Sequence, residues 1–434
     1  MRKVGGALRL SFGPFPGVVL AHTTGMTPQI RRKRTSNEPP KSIHHSCDTG
    51  SWRRAFCARR AYNDVVRLAI DARKLTDFGI GSYLCSLLRG LEERRDVELK
   101  VVARPGHEGR VHELAPSAKV LTASARGYSV AEHVQMPATL WREGVDVVHI
   151  PHYVVPALLP RPIVTTVHDV IQLYYPPEGR AGLALFYLRV VLRSALRRSR
   201  VVITVSRTSR RDLINLFSAD PGRLVVIPNG VDPELAARPS SSEVEALKEF
   251  YGLQAPLVLV VANNKPHKNL DVVLRAYHLA VRRHRVPGQL VFVGGVEPSS
   301  RLADRAARLG LTDRVRFLGR VPQSHLRALY HVAAELLHIS LYEGFGLPIL
   351  EAMGAGLPVV TSNVGAMREL GEDAARLVNP LDVNEVASAV EKVLVDDPLR
   401  QRMVEAGRRR AERLTWERTV DKTIEAYRRA LGED

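Results

Sequence analysis

Glu343 and Glu351 stand eight positions apart in the run EGFGLPILE, around a turn that holds Gly344, Gly346 and Pro348. Glycine lacks a Cβ, so Gly344 and Gly346 allow backbone N–H groups to approach whatever occupies the turn. Pro348 suits the first turn of the helix expected over ILEAMGAG, where its missing donor is not needed. A helix N-terminus facing a pocket favours an anion. That layout sets Glu343 beside the anion and Glu351 a few residues inside the helix, where a carboxylate accepts hydrogen bonds from hydroxyls. An anion next to a polyol is the chemistry of a nucleotide sugar.

Other residues fit the same ligand. In VANNKPHKN, Lys268 lies just before a helix, and its ammonium can neutralise a diphosphate whose negative charge grows as a sugar departs. Lys265 offers a second cation. VTTVHDVI puts His168 and Asp169 at the end of a strand, hence at a cleft rim. Gly79 and Gly81 follow the first strand in DARKLTDFGIGSY, and His149 and His152 in VVHIPHY lie at another strand end and could line an acceptor side. In VIPNGVD, Asn229 and Gly230 suit a tight turn that shapes a hinge. A satisfied structural histidine and a solvated lysine are the bland alternatives. No Asp-x-Asp, no His/Cys group with ligand spacing and no G-x-S-x-G elbow occurs, so neither a metal site nor a serine hydrolase is indicated.

With GFGLP inside the E-x7-E pair and GLPVV after it, the run resembles the signature of glycosyltransferase family 4. These are retaining, nucleotide-sugar-dependent transferases of GT-B architecture, with two Rossmann-like domains. The resemblance covers residues 67 to about 431, densely from 257 to 371. It implies that Glu343 contacts the donor sugar and Glu351 the ribose. Lys268 and the turn residues Phe345, Gly346 and Leu347 would hold the donor phosphates. His168 would touch the donor sugar and position the reacting centre, and the Gly79–Gly81 loop would approach the transferred group and the acceptor. The family usually has an arginine where this chain has Asn263, which leaves Lys265 to supply the missing charge. No metal or other cofactor is implied. The expected partners are a nucleoside diphosphate sugar and a glycan or lipid-linked acceptor. A catalytically inactive relative of the same fold, binding or regulatory, remains the alternative within this architecture.

The elements that must position these residues read as two runs of alternating βα units. Strands are expected near 67–71, 98–103, 145–150, 163–167, 201–205 and 224–228, then near 257–262, 289–294, 314–318, 335–339, 358–361 and 376–378. Helices are expected over 81–94, 131–143, 181–198 and 207–217, and over six further segments between 269 and 413. This is an α/β chain with two doubly wound parallel sheets facing across a cleft. The expected domains are 65–235 on the acceptor side and 256–414 on the nucleotide-sugar side. A polar linker at 236–255 separates them, and a last helix in 415–434 crosses back to the first domain.

The chain of 434 residues, 45% apolar and 25% charged, is long enough for two cores. The formal charge of +18 raises nucleic-acid binding as a rival of a different class. The excess concentrates before residue 67, in a Pro-, Ser- and Arg-rich leader (1–64) without apolar periodicity, and basic and acidic residues come closer to balance afterwards. A leader of that kind reads as dispensable, or as lying upstream of a start near Val65 or Val66, with an electrostatic tether and a targeting segment as the alternatives, and no specific nucleic-acid partner is expected. Cys47, Cys57 and Cys85 form no CxxC pair, which fits a reducing cytoplasm. GLALFYLRVVLRSALRRS (182–199) places Arg189, Arg193 and Arg197 on one face beside an apolar stripe. That pattern fits either a core-packed helix with a solvated basic face or peripheral contact with anionic lipid on the inner face of a membrane.

Overall fold

The computed structural model describes residues 65–77, 79–123, 132–160, 162–176 and 181–433. The leader 1–64, with Cys47 and Cys57, lies outside the described residues. Seven parallel strands form the first sheet: β1 (Val66–Asp71), β2 (Val97–Ala103), β3 (Lys119–Thr122), β4 (Val147–Ile150), β5 (Ile163–Val167), β6 (Val201–Thr204) and β7 (Leu224–Val226). Six more form the second: β8 (Leu257–Val261), β9 (Gln289–Val293), β10 (Val315–Phe317), β11 (Glu335–His338), β12 (Val359–Ser362) and β13 (Arg376–Val378). Runs such as Val201–Thr204 and Leu257–Val261 are almost continuously apolar because helices cover both faces of a parallel sheet.

The strand orders are β3-β2-β1-β4-β5-β6-β7 and β10-β9-β8-β11-β12-β13. Each order reverses once, between β1 and β4 in the first sheet and between β8 and β11 in the second. A doubly wound sheet opens a crevice outside the carboxyl ends of its strands at such a switch point. The loops leaving these four strands begin at residues 72, 151, 262 and 339, and they contain Gly79, His152, Lys268 and Glu343.

The sequence reading missed β3 and the helix Glu108–Leu114, a short edge strand and a short helix with little periodicity to detect. It missed the helix Gly365–Gly371 as well. The segment expected as a polar linker holds the helices Pro233–Ala236 and Ser241–Tyr251, the latter opened by a capping box between Ser240 and Glu243. Leu247 and Leu253 anchor this stretch in the same core as Leu257 and Leu350, so it packs with the second sheet.

The last helix, Trp416–Leu431, buries Val420, Ile424 and Tyr427 with Leu84 and Leu88 of the helix Ile80–Glu92 in the first domain's core. Arg428 pairs with Asp96 at 2.7 Å and Arg94 with Asp421 at 2.6 Å. Two chain crossings therefore join the domains, and they touch where Val231 N–H donates to Leu414 O at 2.8 Å. A Cβ on Gly230 would lie 2.1 Å from Trp416 N. Gly230 is thus required by close approach of the two crossings, and not by the tight turn expected from sequence.

Candidate active site

Glu343 sits in the loop after β11, and its Oε1 collects three bonds. Lys268 Nζ donates at 2.5 Å and Ser340 Oγ at 2.7 Å, and His338 Nε2 lies at 3.2 Å. Lys268 comes from the loop after β8, so the reversal in strand order brings the two charges together. Burial pushes the Glu343 carboxyl upward, but the Lys268 ammonium and the bond from His338 outweigh it and hold the group well below the usual carboxylate range. Its Oε2 is left to accept from a ligand hydroxyl. His338 and Ser340 were missed in the sequence, where neither has a motif; only their place at the end of a strand beside the switch point could have marked them.

Gly344, next to Glu343, packs against the backbone of His168. A Cβ built on Gly344 would lie 2.4 Å from the His168 carbonyl oxygen and 2.9 Å from the Asp169 Cβ. The glycine is therefore required by the approach of the two domains, and not by a ligand as its place in the turn suggested. The His168 ring bonds the Pro151 carbonyl, which demands an N–H, so Nε2 carries the lone pair and has no partner among the described residues. Burial lowers this imidazole to about 4, so it is neutral near pH 7 and its Nε2 can accept from a hydroxyl. Tyr83 packs edge-on against it at 4.8 Å between ring centroids. Asp169 accepts from Ile171 N–H at 2.9 Å and fixes the turn that follows.

Glu351 stands on the helix Leu347–Ala355, whose first turn contains Pro348. Tyr330 OH, another residue without a motif, donates to Glu351 Oε2 at 2.7 Å. Burial raises the Glu351 carboxyl to about 7. With its folded pKa above the unfolded value, the group supports folding fully below about 4.5 and loses that support as pH rises through about 7. Glu351→Gln is therefore expected to raise the melting temperature above pH 7, by the equivalent of roughly 1–3 kcal/mol, with the gain vanishing near pH 4.5. A melting temperature that falls at pH 8 would contradict this placement.

Two cavities flank these groups. One, of about 380 Å³, is lined by Glu351, Leu347, Arg320 and Val321 from the second domain and by Gly81, Arg89 and Arg110 from the first. The other, of about 490 Å³, is lined by His168, Asp169, His152, Lys74, Lys265 and Arg320. Arg320 borders both and was missed, because a single arginine in LGRVP carries no pattern. Lys265 is exposed and reaches the second cavity, whereas Asn263 packs against Gly295 with its Oδ1 buried and unpartnered. Phe345 is a core residue of the second domain, Gly346 takes φ 103° as the N-cap of the helix, and Leu347 borders the first cavity. Gly79 has φ 73° with open space around its Cβ position, but a Cβ on Gly81 would lie 2.4 Å from Leu75 O, so Gly81 packs helix on loop.

His149 does not line the cleft. It is fully buried, bonded to Tyr427 OH and Thr166 Oγ1 at 2.8 Å each, and burial lowers it to about 3. It lies inside β4, whose four residues are all buried, and not at the strand's open end. His152 bonds Asp71 at 3.0 Å, and Arg73 grips both oxygens of the same carboxylate, which braces the cavity wall. Glu369 of the second domain accepts from the backbone N–H groups of Arg207 and Thr208, at 2.9 and 2.6 Å, capping the helix Arg207–Phe217 of the first. Tyr342 OH donates to Asp212 of that helix at 2.6 Å, so the domains are held together beside Glu343.

The second half of the chain, residues 245–410, matches the model of glycosyl transferases group 1, and residues 79–235 match that of glycosyltransferase family 4. The O-antigen chain mannosyltransferase B of Escherichia coli is 30% identical over 373 residues, spanning 81% of this chain and 96% of the relative. Sucrose-phosphate synthase from Thermosynechococcus elongatus superposes with a TM-score of 0.70 at 21% identity, over 85% of this chain and all of the other. The Anabaena protein HepE, crystallised with UDP and glucose, superposes at 0.66 with 20% identity, over 83% and 98% of the two chains. Two doubly wound parallel-sheet domains that superpose on such structures are a GT-B fold, and the chain belongs to the group 1, family 4 glycosyltransferases.

Proposed function

We propose that this glycosyltransferase moves a hexose, mannose in first place, from a nucleoside diphosphate sugar to a hydroxyl of a glycan or lipid-linked saccharide, with retention and without a metal. The observation that carries the reading is the Lys268–Glu343 pair at the domain junction, where Gly344 packs against the His168 backbone. Mannose is favoured because the relative similar over most of this chain is named a mannosyltransferase.

In this reading Glu351 holds the ribose, and Lys268 with the helix start at Gly346–Leu347 faces the diphosphate. Lys265 and Arg320 add charge where Asn263 adds none. Glu343 Oε2 and His168 Nε2 accept from sugar hydroxyls. The acceptor enters from the His168 cavity, past the Gly79–Gly81 loop. The acceptor oxygen bonds to the anomeric carbon on the face the diphosphate leaves. The bond from that carbon to the phosphate oxygen breaks, and the hydroxyl proton passes to the departing phosphate. Lys268 stabilises this developing charge more than the ground state, which is where binding energy accelerates a reaction.

Thermal-shift measurements against UDP-, GDP- and ADP-sugars in the presence of a chelator test the donor class. Saturating donor is expected to raise the melting temperature by a few degrees, since about a hundredfold excess over Kd stabilises by roughly 2.7 kcal/mol. No shift with any nucleoside diphosphate sugar would overturn the proposal.

A further inference from the structure

A helix offers no internal acceptor to its first N–H groups, so those at the start of Arg207–Phe217 must find partners elsewhere. Ser206 takes one: its Oγ accepts from Ser209 N–H at 3.0 Å. Glu369, in the other domain, takes two more, with Arg207 N–H donating to Oε2 at 2.9 Å and Thr208 N–H to Oε1 at 2.6 Å. Thr208 Oγ1 donates to the same carboxylate. Part of this cap therefore comes from a residue 162 positions away in the chain. A Cβ on Gly365, where the helix of Glu369 begins, would lie 3.6 Å from Thr208 Cγ2, so the two helices lie within contact distance beside these bonds.

The same first turn reaches the loops of the reaction. Ser206 Oγ donates to Ser209 Oγ at 3.1 Å, which leaves the Ser209 hydroxyl to donate in turn to the His168 carbonyl at 2.9 Å. Ser209 is buried, so no water competes for that bond. One turn further on, Asp212 accepts from the OH of Tyr342, the residue before Glu343, at 2.6 Å. One helix thus holds the backbone of His168 on one side and the neighbour of Glu343 on the other, and Glu369 fixes where its first turn lies against the second domain.

We propose that Glu369 is a positioning residue for sugar transfer: by capping Arg207–Phe217 from the opposite domain, it sets the His168 loop against the Glu343 loop. This rests on the reading of Glu343 and His168 given under the proposed function. A carboxylate at a helix N-terminus is favoured by the helix dipole as well as by the bonds themselves. Glu369 and Arg207 are open to water on one side, so water replaces the carboxylate when the domains part, and these bonds belong to the closed form alone. Their strength therefore adds to closure. Closure also keeps water from the anomeric carbon. With the cap removed, a water oxygen bonds to that carbon in place of the acceptor oxygen, its proton passes to the departing phosphate, and free sugar is released.

The test joins amide hydrogen exchange of the full chain to kinetics with GDP-mannose as donor and methyl α-mannoside as acceptor. In Glu369→Ala the amides of Arg207 and Thr208, in the domain that was not altered, should exchange roughly fivefold faster or more, with the strands of the second sheet unchanged. The variant's kcat should fall roughly tenfold. Its melting shift with GDP-mannose should keep the wild-type size, and the fraction of donor hydrolysed should rise. Glu369→Gln keeps one acceptor oxygen and should fall between the two. Thr208→Val removes a donor to the same carboxylate, so adding it to Glu369→Ala should slow transfer no further. Unchanged exchange at Arg207 and Thr208 would overturn the proposal. So would faster exchange with wild-type kcat and hydrolysis, additive losses in the double variant, or a donor shift lost together with kcat, which would move Glu369 into the donor site. The exchange measurement needs no activity, so a failed cap is told apart from a failed reading of the reaction, in which the wild type itself neither transfers from GDP-mannose nor gains a melting shift from it, and the positioning role falls with that reading.

Discussion

Replacing Glu343 by alanine is expected to lower kcat by roughly 10²–10⁴-fold, with far less effect on donor affinity. The carboxylate is held by Lys268, Ser340 and His338 before any ligand arrives, so its orientation costs nothing at the moment of reaction. The same substitution strands a half-buried ammonium at Lys268, and a loss of roughly 1–3 kcal/mol in stability should accompany it. Glu343→Gln separates the two effects. It can still accept from Ser340 but removes the charge, so the protein should melt closer to wild type while turnover stays low. Steady-state kinetics and thermal melts read both quantities, and near-normal turnover in Glu343→Ala would remove this residue from the reaction.

Lys268→Ala is expected to cost roughly 10²–10³-fold in kcat/KM, most of it in kcat, because the ammonium faces the group whose charge grows during transfer. It should also change the pH profile. In the wild type the lysine holds Glu343 ionised against the upward push of burial, so Glu343 contributes no acid limb in the range where the fold is stable. Because that carboxyl is depressed in the folded state, it supports folding above its unfolded pKa of about 4.5 and loses that support as pH falls through the folded value. Without Lys268 the carboxyl titrates higher. The variant should therefore show a loss of activity on acidification beyond that of the wild type, and its melting temperature should fall relative to wild type above pH 5. An unchanged acid limb would show that Lys268 does not control Glu343.

Much of this arrangement was legible before the structure. The E-x7-E run and the lysine ahead of a helix named the acid and the cation, and unbroken apolar strands with periodic helices marked two doubly wound sheets. Long helices with a periodic apolar face leave a readable trace, so those at 181–198, 207–217 and 383–395 fall where periodicity placed them, whereas the short edge strand β3 left none. The residues that complete the site were not legible. Ser340, His338, Tyr330 and Arg320 act by meeting chain distant in sequence or by the way a strand end turns, and no local pattern encodes that. Gly344 and Gly230 show the same limit. Each was visible as a glycine, but the neighbour that forbids a side chain lies 176 positions away at His168 in one case and 186 away at Trp416 in the other. The helix Ser241–Tyr251 was hidden by its polar surface, since only Leu247 is buried along its length.

The most direct measurement is the anomeric configuration, by proton nuclear magnetic resonance, of the glycoside formed from an α-linked nucleoside diphosphate mannose with chelator present. An α-linked product, formed at the same rate with and without chelator and far more slowly by Glu343→Ala, is the predicted result. A β-linked product, or turnover that stops when the chelator is added, would contradict a metal-free, same-face transfer at the Lys268–Glu343 pair.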